Sequence, residues 1–164
     1  KEASRILDSI RVHHKSPEYY LFKAEMSAYN GVTSESEKYI DNFLDVINNG
    51  LYGQMYNLQL IELYANSDPE KALEIANREI NNRATPEVYS LLAYAQLKIG
   101  NKEKALETII NSVEGKTFAP KSLYFSALIY KENNRNDKVD DLKSELQNSS
   151  FEMGPLLSKR INSL

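Results

Sequence analysis

The chain has 164 residues, 41% of them hydrophobic and 26% charged, with a formal net charge of −3. That is length enough for one ordinary core and too apolar for gross disorder. No apolar run approaches the ~20 residues of a membrane span. No basic stripe of the kind nucleic-acid binders carry stands out. The lack of cysteine excludes disulfides, thiolate chemistry and cysteine-held metals.

Glycine and proline number 6 and 5, and between them the apolar residues recur at helical spacing. The spacing predicts a helix over 2–14, with Ala3, Ile6, Leu7 and Ile10 on one face. Ser16-Pro17-Glu18 opens a second helix, since proline fits a first helical turn whose N–H needs no partner. It runs to about Tyr29 and is stopped by Asn30-Gly31. Ser34 with Glu37 three residues on has the capping-box pattern, and Ile40, Phe43, Leu44 and Ile47 make the buried stripe that follows. A helix from about Tyr52 to Asn66 has two readings of its inward face: Tyr56 with Leu60, or Asn57, Leu60, Ile61 and Tyr64. Asp68-Pro69 begins the next, to about Asn82, and Thr85-Pro86-Glu87 another, ended by Gly100-Asn101. Lys102 to about Glu114 follows. Pro120 starts a helix lasting to about Glu132, and Asn133 to Asn136 turn the chain into one ending near Gln147. Pro155 to Leu164 form a short terminal helix. With no strand-like alternation, the reading is all-α, with about ten helices.

The helices repeat in register. The same interval separates Pro86 from Pro120, Ala93 from Ala127, Gly100 from Asn134, and Ala105 from Val139. Ala3, Pro17, Tyr20, Ala24 and Gly31 recur as Ala72, Pro86, Tyr89, Ala93 and Gly100, two such intervals and a single position further on. A fixed period of about 34 residues is the signature of stacked helical hairpins. The unit from Pro86 to Ala119 resembles a tetratricopeptide repeat: Tyr89, Leu92, Ala93 and Gln96 fill the first block, Gly100 the turn, and Ala105 and Ile109 the second. Small Ala93 and Ala105 let two helices approach closely. Asn134 stands where glycine stood, asparagine being the next best residue for a left-handed turn. Lys23 departs from the pattern.

The resemblance implies a right-handed α-α superhelix of about four hairpins in a single domain, 1–164. Residues 1–15 form a partial or capping helix, 17–50, 51–84, 86–119 and 120–150 the repeats, and 151–164 a C-terminal cap. In this family the first helix of each hairpin lines a concave groove that binds a peptide or protein partner. Ten of the 11 tyrosines fall on or beside such helices. Tyr20, Tyr89 and Tyr130 lie on packing columns and are expected in the core. Tyr94 and Tyr124 fall off those columns and are expected to face the groove. The same columns offer Glu25, Asn57, Ser90, Lys98, Lys121, Leu128 and Lys131 as groove residues. Some family members grip a terminal carboxylate with Lys, Asn and Arg. The matching positions here are Leu21, Glu25, Asn57 or Leu58, Glu87 and Leu91, of which only Asn57 suits that role.

No catalytic, cofactor-binding or metal-ligating group is expected. His13 and His14 are adjacent, so on a helix they point about 100° apart, whereas a two-histidine site wants i, i+4 spacing. No phosphate loop is present, and no histidine is placed to serve a serine and an acid. The reading is therefore a non-enzymatic protein-interaction module without cofactor, nucleic acid or membrane span. The rival readings are a structural or oligomerisation segment, self-associating through its N-terminal end where the first helix lacks its expected partner, and a helical-repeat RNA binder, which the charge disfavours. Localisation stays open: a chain starting at Lys1 fits a trimmed exported protein, periplasmic or lipid-anchored, and equally a cytoplasmic one.

Overall fold

The computed structural model describes residues 2–164, apart from the side chain of Ser150. Ten α-helices and no strand occur among the described residues. They fall into two compact units, Lys1–Gln54 and Met55–Leu164.

The first unit holds α1 (Glu2–His13), α2 (Glu18–Tyr29) and α3 (Thr33–Ile47). The α2 and α3 helices form an antiparallel hairpin across Gly31, whose φ of 78° needs no Cβ to be accommodated. Phe43, Ile47 and Ala24 are buried between them. Ser36 Oγ donates to Ala24 O at 2.9 Å, which satisfies a hydroxyl on the buried face. The Ser34–Glu37 capping box does not form. The helix starts two residues earlier than that cap implies, at Thr33, without a side-chain cap, while Glu35 accepts a 2.7 Å bond from Ser27 of α2.

The α1 helix packs on α2 by a different chemistry. None of its residues is buried. It is held by an ion pair between Asp8 and the buried Lys23. Arg11 adds a 3.0 Å bond to Tyr20 Oη, with its guanidinium 4.5 Å from the ring centroid. Lys23 occupies the repeat position that Leu92 holds in α6 (Pro86–Lys98), so the pattern-breaking lysine is what ties α1 down.

The second unit holds α4 (Asn57–Ser67), α5 (Pro69–Asn82), α6, α7 (Lys102–Ser112), α8 (Pro120–Glu132), α9 (Asn136–Asn148) and α10 (Ser150–Ile161). Helix starts follow the sequence where a cap and a proline coincide. Asp68 accepts from Lys71 N, Thr85 accepts from Val88 N, and Pro69 and Pro86 take the first turns. Asn134 is the one non-glycine residue with positive φ, 57°, among the described residues, and it makes the turn that Gly100 makes at 91°. Two elements differ from expectation. The α4 helix begins at Asn57 rather than near Tyr52, because Gly53, at φ 53°, holds 51–56 in turns. The last helix begins at Ser150, with a kink at Gly154 (φ 71°) ahead of Pro155. Proline lacks the N–H and clashes with the preceding turn, so the break is expected there.

Packing in this unit is regular. The pairs α4–α5, α6–α7 and α8–α9 are hairpins. Each first helix also packs on its successor, α4 on α6, α6 on α8 and α8 on α10, while α5, α7 and α9 pack on α6, α8 and α10. This is the neighbour-on-neighbour contact of a helical repeat. The small residues sit at the closest approaches: Ala72, Ala76, Ala93, Ala95, Ala105 and Ala127 are fully buried. One cluster runs from Ile61 through Tyr94 and Phe125 to Ile161, and a second gathers Ala93, Ala105, Ile109, Ile129 and Val139. The α6 and α8 helices are buried on nearly every side, whereas α7 buries only Ala105 and Ile109.

Candidate functional site

The face carried by α4, α6, α8 and α10 gathers the sequence-designated residues that belong to the second unit, but it holds them differently from expectation. Tyr94 and Tyr124 do not stand free in a groove: they are 8% and 9% exposed. The Tyr94 ring stacks on Phe125, centroids 4.5 Å apart, and Phe125 meets Tyr124 at 5.8 Å in a tilted contact. Such pairs each add roughly 0.5–1.5 kcal/mol beyond their area. Tyr94 Oη donates to Asn66 Oδ1 of α4 at 3.2 Å. Burial pushes the Tyr124 hydroxyl above its usual pKa, opposed in part by the charge of Arg160 on α10. Of the tyrosines expected in the core, Tyr130 is buried, whereas Tyr20 and Tyr89 are only partly so.

Two further groove candidates point inward. Asn57 is 2% exposed and donates to Glu79 Oε2 of α5 at 2.6 Å. Ser90 is 1% exposed, donates to Glu87 O at 2.7 Å and lies 3.0 Å from Ser122 Oγ of α8. Both are polar groups satisfied within the helix packing, and neither can reach a ligand from the surface. Glu25 is partly buried on α2, in the first unit.

Four candidates do lie at the surface of this face. Lys98, in the last turn of α6, places Nζ 5.2 Å from the Tyr94 ring centroid. Lys121 pairs with both oxygens of Glu62 at 2.9 and 2.8 Å. Since α4 and α8 each contact α6 and not one another, that pair reaches over α6. Leu128 is partly buried against the larger apolar cluster. Lys131, in the last turn of α8, donates to Ser163 O at 2.9 Å and so brings the ends of α8 and α10 together.

Comparison with protein-family models, with curated proteins and with solved structures finds no match. The face must therefore be read from its own chemistry. It offers a largely covered aromatic cluster, an apolar residue beside it and several long cations. Among the described residues no group of three or more His, Asp or Glu side chains is placed to hold a metal ion, and no helix is long and apolar enough to cross a membrane. His13 and His14 are both exposed, at the end of α1.

Sequence reasoning missed Phe125, Asn66, Glu62 and Arg160. Phe125 adjoins Tyr124, and a double aromatic in a helix that is apolar all round was the available signal. Arg160 carried none, because the approach of α10 to α8 depends on the kink at Gly154.

Proposed function

We propose that this protein is a non-enzymatic interaction module, a tetratricopeptide-like array whose second unit stacks as a right-handed superhelix and binds a protein segment along the face of α4, α6 and α8. The observation that carries the reading is the gathering of Tyr94, Lys98, Lys121, Leu128 and Lys131, which come from two helices one repeat period apart, beside Asn66 and Glu62 of a third. Repeats bring equivalent positions onto one side, and a row of rigid aromatic and long polar side chains there fits groove recognition of a peptide. The two tyrosines serve this by rigidity: buried under their neighbours, they stiffen the face on which Leu128 and the lysines stand rather than act as anchors themselves.

Selection from a displayed library of random dodecapeptides tests it. The intact chain is expected to enrich binders, and Leu128→Ala is expected to weaken a selected peptide about tenfold, the usual cost of losing one central contact. Lys104→Ala on the exposed side of α7 is expected to change nothing. No enrichment, or equal loss in both variants, overturns the reading. Thermal midpoints of the variants guard against misfolding.

A further inference from the structure

The charges on this face differ in sign from the chain as a whole. The protein carries −3 overall, yet the surface around the Tyr94–Phe125–Tyr124 cluster is built from cations. Glu62 pairs with Lys121, and Glu132 pairs with Lys102 at 2.6 Å while also feeling the charges of Lys131 and Lys98. Among the described residues, that leaves Lys98, Lys131 and Arg160 exposed without a carboxylate at ion-pair distance. Lys98 Nζ lies 5.2 Å from the Tyr94 ring centroid, Lys131 sits at the junction of α8 and α10, and Arg160 is in the last turn of α10, close in sequence to that junction.

There is a plain structural reason for a lysine or arginine in a last helical turn. A helix C-terminus carries roughly half a negative charge, which a cation offsets. Lys98, Lys131 and Arg160 are all last-turn residues of α6, α8 and α10. Three such ends cancel about half of three full charges, so the face stays positive after the dipoles are counted. Dipole pairing does not set an aromatic beneath a cation, which at Lys98 follows from its spacing of four residues from Tyr94 on one helix. Nor does it account for α4, whose last turn holds no basic residue and instead supplies Asn66 to Tyr94.

Resting on the peptide-binding reading, we infer that the partner segment is acidic: an apolar residue seated at the partly exposed Leu128, above the buried Tyr94–Phe125–Tyr124 cluster, flanked by Asp or Glu side chains that pair with Lys98, Lys131 and Arg160. An acidic segment gains three cations that, among the described residues, no carboxylate pairs directly, while a basic one meets like charge at each position. Exposed charges steer encounter and fix register more than they add affinity. The preference should therefore fade as salt shortens the screening length from about 30 Å at 0.01 M toward 8 Å at 0.15 M.

The same random dodecapeptide library decides the matter by composition. From the intact chain the enriched pool is expected to carry net negative charge around an apolar residue. A synthetic peptide from that pool is expected to lose at least tenfold in affinity between low and physiological salt. Lys98→Glu/Arg160→Glu is expected to reverse the selection toward Lys and Arg. It leaves Lys131 and its bond to Ser163 in place, so α10 stays docked, and circular dichroism checks that. Lys131→Glu in a separate variant is expected to weaken the acidic peptide by a similar factor. A neutral or basic pool binding at the Leu128 face overturns the acidic partner and leaves the interaction module standing. An acidic pool whose affinity is unmoved by either charge reversal also overturns it. A library that enriches nothing overturns both.

Discussion

A carboxylate that is only 3% exposed is costly to ionise unless its oxygens are well bonded, and Glu79 of α5 meets that condition. Burial raises its pKa, but bonds from Asn57 at 2.6 Å, Arg83 at 2.5 Å and Asn82 at 3.4 Å outweigh burial and hold it below the usual 4.5. A depressed folded-state value means the stabilisation is complete above pH 4.5 and drains away as pH falls through the lower folded pKa. Glu79→Gln is therefore expected to destabilise the protein at pH 7 by about 1–3 kcal/mol, the range for a disrupted bond to a charged group. The deficit against wild type should narrow below pH 4.5. Denaturant midpoints at pH 7 and pH 3 read this directly, and an equal deficit at both would rule out the charged form as the stabilising species. The stripe Ala72, Ile75, Ala76, Glu79 is legible in the sequence as an acid on a buried helical face. What periodicity could not give is its partner, so Asn57 reads as a groove residue when it is a structural one. Ser90 fails for the same reason: the column phase locates a polar residue without revealing that Ser122 answers it.

At the scale of helices, legibility follows local chemistry. Where a capping side chain precedes proline, as at Thr85-Pro86 and Asp68-Pro69, the sequence places the helix start to the residue. Gly100 and Asn134 likewise mark their turns, because only residues at ease with positive φ can make them. The start of α4 is not legible, since Tyr52 and Tyr56 keep an apolar rhythm through a segment that Gly53 bends away from helix. The docking of α1 is legible only in reverse, as the lysine that breaks the pattern at 23. Because no residue of that helix is fully buried, the Asp8–Lys23 ion pair carries much of its attachment, which should respond to charge. Asp8→Asn is expected to raise amide exchange across α1 at least tenfold, with α2 and α3 unaffected, and the wild type should approach the same state at high salt. Unaltered protection of α1 would show that its partly buried Leu7 and Ile10 suffice to hold it.

For the whole molecule, the repeat period speaks to neighbour contacts and not to how many cooperative bodies result. The division after Gln54 falls close to the sequence boundary between the first two repeats. Its second part holds the two large apolar clusters, whereas the first has few fully buried apolar side chains. A fragment of 55–164 is therefore expected to melt as one cooperative helical transition, while a fragment of 1–54, below the size at which domains are comfortably stable alone, melts earlier and less sharply. Circular dichroism of the two fragments tests this, and a non-cooperative 55–164 would refute it. In the same unit, the Lys121–Glu62 pair joins two helices whose backbones do not approach one another, with α6 beneath it. Any motion that spreads α4 from α8 must stretch that tether, whereas motion that draws them together leaves it slack. The unit thus has a one-way restraint whose stiffness is set by ionic strength, so its breathing, and any coupling between its first and third helices, becomes a property of the solution as much as of the fold.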